Sequence, residues 1–279
     1  MTLIQPFIEF GFMRRALVAC VALALSATPL GVFLSLRRMS LVGDALSHAV
    51  LPGAAIGYLV SGLSLVAMGI GGLIAGLAVA LLSGAVSRYT PLKEDASFSG
   101  FYLGSLALGV TLVSLRGSSV DLLHVLFGSL LAVDNAAILL VGGIAAFTLL
   151  MLAVIFRPLV IDAFDPDFLR AQGKWSAPIV HGIFLMLVVL NLVAGFQVLG
   201  TLMSVGLMML PATSARFWSR HLACMLGIAM VLAMIAAVVG LILSWHFSLP
   251  AGPAVVLSAA VLFLLSVLTG PCGGLLRRR

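Results

Sequence analysis

Asp44 and His48 stand four residues apart within residues 39–53, MSLVGDALSHAVLPG, a stretch that otherwise reads as membrane-spanning. Residues spaced i and i+4 share a helix face. A carboxylate and an imidazole on one face, inside hydrocarbon, make half of a transition-metal site. Ionisable groups are costly there and are usually functional. Oxygen plus imidazole ligation suits zinc, manganese or iron(II), and is too hard for a dedicated copper(I) site. The spacing alone is equally compatible with an Asp44 that caps a helix and a His48 that bonds a backbone carbonyl. Asp44 also follows Arg37 and Arg38 by only a few residues, which places it toward one membrane face rather than at the midplane.

The remaining polar residues are sparse: nine acids and five histidines in 279 residues. Asp121 and His124, spaced i and i+3, share a face or simply open an interfacial helix. His181 begins an apolar run that also carries Asn191 and Gln197. That face is either a hydrophilic pathway or a set of hydrogen bonds between helices. His221 and His246 sit at the two ends of one span and read as interfacial. Gly173-Lys174 is followed by Trp175, so there is no G-x-x-x-x-G-K-[ST] phosphate loop. If ATP drives this protein, another subunit binds it. No Ser/His/Asp nucleophile set and no H-E-x-x-H motif occurs, which argues against an enzyme and for no permanently bound cofactor. Cys20, Cys224 and Cys272 are too far apart for a disulfide framework or metal spacing.

These groups must be positioned by membrane helices. Hydrophobic residues are 62% of the chain and charged residues 9%, against about 25% charged in soluble domains. The apolar runs are long and rich in Ala, Leu, Val and Gly, unlike the alternating segments of about ten residues in a β-barrel. The fold class is all-α: a polytopic transmembrane bundle of about eight or nine spans, in one transmembrane domain over 1–279. Spans fall at roughly 14–36, 42–61, 64–87, 97–115, 135–156, 178–197, 199–214, 219–245 and 253–271. The stretch DLLHVLFGSLLAVD, at residues 121–134, is too short to cross alone. The run 199–214 is short and interrupted by Pro211, as in the broken helices that line cavities.

Residues 14–28 have signal-peptide character, but the apolar run continues, so an uncleaved first span is the better reading. Positive charge marks one side as cytoplasmic. Arg37, Arg38, Arg88, Lys93, Arg157, Arg170, Lys174, Arg216, Arg220 and the terminal arginines all fall there if every span crosses. Arg14 and Arg15 then lie outside, against the rule, and an eight-span arrangement with both ends inside remains open. The net charge of +6 is scattered at span ends and does not indicate nucleic-acid binding. The longest polar stretch is 157–176, RPLVIDAFDPDFLRAQGKWS. Asp165 can cap a helix beginning at Pro166, and Gly173 can end it. Phe168 supplies an apolar knob and Arg170 a charge, so the segment reads as a cytoplasmic loop or a docking helix for a soluble partner.

Five segments, in order, carry a resemblance. FMRRALVACVALALSATPLGVFLSLRRMSLVGDALSHAVLPGAAIGY, DLLHVLFGSLLAV, FRPLVIDAFDPDFLRAQG, VLGTLMSVGLMMLPATSAR and LPAGPAVVLSAAVLFLLSVLTGPCGGLL resemble the permease subunits of bacterial ABC importers for zinc, manganese and iron. The resemblance implies a permease dimer in the bacterial inner membrane and two cytoplasmic ATP-binding subunits. It also implies a periplasmic or lipid-anchored metal-binding protein, with alternating access driven by ATP. It makes Asp44 and His48 the preferred metal-contacting residues and 157–176 the ATPase coupling loop, through Asp165, Pro166, Phe168, Arg170 and Gly173. Competing expectations are a permease for another small cargo and a proton-driven metal transporter.

Overall fold

The computed structural model describes residues 7, 9–62, 64–92, 94–115, 133–165, 168 and 176–277. Every regular element among them is helical. In chain order they are α1 (Gly11–Leu36), α2 (Ser40–Ala49), α3 (Leu51–Ser61), α4 (Leu65–Tyr89), α5 (Glu94–Leu115), α6 (Asn135–Phe164), α7 (Ser176–Leu199), α8 (Thr201–Ala215), α9 (Leu222–Phe247) and α10 (Ala251–Thr269).

Six of these, α1, α4, α6, α7, α9 and α10, are long and apolar enough to cross a membrane. The sequence reading of eight or nine spans counts three further segments. One is the broken pair α2–α3, another is α5, which is less apolar, and the third is the short α8. The α2–α3 break is chemical. Pro52 has no N–H for the carbonyl of His48, and its ring crowds that carbonyl. Two helices of ten and eleven residues result in place of one.

Burial sorts the helices. In α1, 72% of the apolar window is inside the bundle and in α7 67%, against 28–33% for α4, α6, α9 and α10. α1 is central and packs closely through small residues set among large ones: Ala16, Ala19, Ala24 and Ala27 are buried beside Leu23, Leu30 and Phe33, and Gly31 lies directly against the backbone of Met208 on α8. The peripheral helices present Val66, Ile70, Ile74, Leu139, Leu150 and Val154 outward, as lipid-facing surfaces require.

Side-chain contacts fix two ends. At one, Phe10 and Phe12 of the N-terminal region stack near Trp245 of α9, with ring centroids 4.7 and 6.2 Å away. At the other, Arg37 pairs with Asp162 of α6, and Arg216 donates to the carbonyl of Ser35 at 3.4 Å. Trp218 donates to Ser266 of α10 there, at 2.9 Å. Arg37 and Arg216 therefore share an end, and by the positive-inside rule it is the cytoplasmic one. α8 is not a full crossing. Ser204, near its start, lies with Gly195 beside Leu23, and the Gly200 turn before it is buried. Leu23 is about twelve residues, roughly 18 Å, from the start of α1.

α3 and α4 cross through glycine. Gly53 and Gly71 each lie against the other's backbone carbonyl, and Gly57 against that of Ala67. Backbones approach this closely in lipid only where side chains are absent. Gly53→Val is expected to destabilise the protein by about 1–3 kcal/mol through overpacking, while Gly143→Ala, with open space around it, is neutral. Thermal unfolding of the detergent-solubilised protein checks both.

Candidate functional site

Asp44 and His48 lie on one face of α2, as their spacing requires. Asp44 Oδ1 and His48 Nε2 are 3.8 Å apart. Two ligands bound to one ion at about 2.1 Å lie about 3.0–3.4 Å apart at octahedral or tetrahedral angles. A small side-chain rotation closes the difference. His48 Nδ1 is buried without a hydrogen-bond partner among the described residues, and Nε2 is the ring nitrogen that faces Asp44. The imidazole is held by Tyr102 of α5, stacked at 6.1 Å and 28°.

The neighbours of α2 place the pair in depth. Gly43 lies against Leu34 of α1 and Met208 of α8, close to the cytoplasmic end. Val50 lies against Gly72 of α4, and Ser105 of α5 bonds the Ala49 carbonyl at 3.1 Å. Asp44 thus sits near the cytoplasmic side and His48 one turn deeper. Exposure is the distinctive feature. The Asp44 side chain is 60% exposed and that of His48 27%, on a helix whose other faces are buried. No group of three or more His, Cys, Asp or Glu is gathered among the described residues. The chain therefore presents a carboxylate beside an imidazole on the exposed face of α2.

The three residues read as a possible pathway on α7 are not brought onto one face. His181 Nδ1 accepts from Arg37 Nη1 at 2.9 Å. Asn191 is buried and donates to Thr148 of α6 at 2.8 Å and to the Leu187 carbonyl at 2.9 Å. Gln197 lies against Gly69 of α4. Spacings of ten and six residues rotate these side chains toward three different helices. His246 bonds the carbonyl of Ile242 in its own helix.

The loop reading of 157–176 also changes. α6 continues through Arg157 and Pro158 to Phe164, with Leu159 fully buried. Residues 157–164 are helix, and the polar connection begins at Asp165. Asp165 Oδ1 accepts the backbone N–H of Phe168 at 3.1 Å, the bond a helix N-cap makes. Phe164 and Phe168 are exposed beside it. Pro166, Arg170 and Gly173 lie outside the described residues, as do Asp121 and His124. Asp134 caps α6, accepting from Ala137 N–H at 2.7 Å. Sequence reasoning missed Tyr102, and it missed the partnership of Arg37 with Asp162, because neither pair is close in sequence.

A bundle of apolar helices, with an exposed carboxylate beside a partly buried imidazole on a broken one and exposed aromatic residues at the cytoplasmic end, is the architecture of a multi-pass membrane protein. Residues 9–270 match the ABC 3 transport family, and the chain belongs to it. It is 34% identical over 275 residues to the manganese transport system membrane protein MntC of Halalkalibacterium halodurans, covering 98% of this chain and 92% of that one. It is 33% identical over 263 residues to the manganese import system permease protein ScaB of Streptococcus parasanguinis, covering 94% and 92%. The solved structure of PsaBC from Streptococcus pneumoniae in complex with Fab superposes with a TM-score of 0.85 at 32% identity, covering 97% of this chain and 96% of that one.

Proposed function

We propose that this chain is the permease subunit of an ATP-driven importer in the bacterial cytoplasmic membrane, with manganese as its cargo. The relatives named for manganese support the cargo. The observation that carries the mechanism is the exposed Asp44–His48 pair on α2. A carboxylate facing hydrocarbon is costly, so that face is covered in the working protein. A second copy of this chain is the natural cover, since it brings a second Asp44–His48 pair to the same axis. Two oxygens and two imidazoles then replace part of the hydration shell of a divalent ion. Carboxylate oxygen suits manganese, and neutral imidazole admits it without the tight thiolate grip that would favour zinc.

Transport requires release as well as capture. A site of two donors per protomer, toward the cytoplasmic side, binds an ion when the halves meet and loses it when they part. Two ATP-binding subunits drive that change, docking beside Asp165 and Phe168. A metal-binding protein on the outer face delivers the ion. The cargo is a substrate, and no permanently held cofactor is needed.

The test is manganese uptake by proteoliposomes holding the assembled transporter, with ATP inside the compartment equivalent to the cytoplasm. ATP-dependent accumulation is expected, and its absence with an intact complex contradicts the reading. Tyr102→Ala frees the His48 ring and is expected to slow uptake about tenfold, the lower end of losses from groups that orient metal ligands. Tyr102→Phe retains the ring and is expected to leave the rate unchanged.

A further inference from the structure

We propose that Arg37 is a positioning residue that couples the ATPase end of the permease to the helix carrying Asp44 and His48, an inference that rests on the importer reading above. The Arg37 side chain is 6% exposed and its partner Asp162 12%. One arm of the guanidinium fork binds Asp162 on α6, the other binds His181 on α7 at 2.9 Å, and the plane lies 4.8 Å from the Phe184 ring. The guanidinium therefore holds α6 and α7 together at their cytoplasmic ends. Asp162 is three residues before Asp165, which caps toward the exposed Phe168.

Arg37 also begins the turn that leads into α2. Its N–H bonds Phe33, that of Arg38 bonds Ser35 and that of Met39 bonds Leu34. Arg38 has φ 60, a left-handed conformation uncommon for a non-glycine residue. Met39 is buried. Three backbone hydrogen bonds tie the turn to α1, and Asp44 follows seven residues after Arg37. A displacement of the α6 and α7 ends thus reaches α2 through one planar, multiply bonded side chain.

Stability alone does not account for the arrangement. A buried ion pair is often no more stabilising than the apolar residues that could replace it, and this bundle has apolar residues in excess. Arginine rather than lysine fits the task, because only a fork grips two partners in fixed relative orientation.

The experiment uses the complete transporter with its ATPase subunits in proteoliposomes, and a manganese-loaded binding protein as the probe. It measures manganese imported per ATP hydrolysed. Arg37→Gln and Asp162→Asn are each expected to assemble, to hydrolyse ATP at the native basal rate, and to import at least about tenfold less manganese per ATP. The double variant is expected to be no worse than either single, as for residues sharing one interaction. His181→Ala keeps the ion pair and is expected to lose about threefold, which keeps the proposal testable if the charge variants do not assemble. Native import per ATP in the variants overturns the proposal. So does a loss of import in strict proportion to a loss of assembled complex, which is the mark of a merely structural pair. Failure of the importer reading is separate: it shows as no manganese import by the native chain.

Discussion

Asp44→Ala is expected to abolish manganese transport while leaving the permease in the membrane at native amounts. The two halves of that expectation have different physical origins. Groups that merely orient a metal ligand cost 10–100-fold when lost, so removing a ligand is expected to cost at least about 100-fold. The carboxylate neutralises part of the ion's charge where little water remains to do so. Folding is unaffected, because the Asp44 side chain is largely exposed in the protomer and makes no close bond to His48, 3.8 Å away. His48→Ala is expected to behave alike, and Asp44→Asn to retain a small residual rate, since the amide keeps an oxygen donor without the charge. Proteoliposome uptake rates, with immunoblots for membrane content, check all three. Native uptake by the alanine variants would remove the pair from the path.

Phe168→Asp is expected to strip the ATPase subunits from the permease. Phe164 is 66% exposed and Phe168 52%, and both stand at the cytoplasmic end beside the Asp165 cap. Exposed aromatics grouped beside a polar cap are the kind of anchor that costs about 2 kcal/mol or more when truncated in an interface, roughly 30-fold in Kd. A carboxylate in the same place adds desolvation and costs more. Phe247→Asp offers the comparison: Phe247 is also exposed, at the opposite end of the bundle, and its replacement is expected to leave ATPase binding intact. Co-purification of the ATPase subunits with each variant reads the difference. Equal retention by both variants would place the docking surface elsewhere.

The helices were legible in the sequence because lipid demands long apolar runs, and positive charge marks their cytoplasmic ends. The Asp44–His48 pair was legible because four residues is the helix repeat. Other features were not, for identifiable reasons. Arg157-Pro158 looks like the start of a loop, but Leu159 is fully buried and α6 runs on to Phe164. The α2–α3 break was hidden inside a continuous apolar run, although Pro52 was its cause. Asn191 gave no hint that its partner was Thr148, and Arg37 counted only as a loop charge until its partners, 125 and 144 residues away, were seen. Long-range partnership leaves no local pattern. Nor does the exposure of Asp44, which depends on which helices fail to cover α2.

Cellular metal content under metal limitation, read by elemental mass spectrometry, tests the central claim most directly. It compares a strain lacking this protein with strains complemented by the native chain and by Asp44→Ala. A selective fall in manganese, restored by the native chain and not by the variant, is the predicted result. Unchanged manganese in the deletion strain, or full restoration by Asp44→Ala, would contradict it.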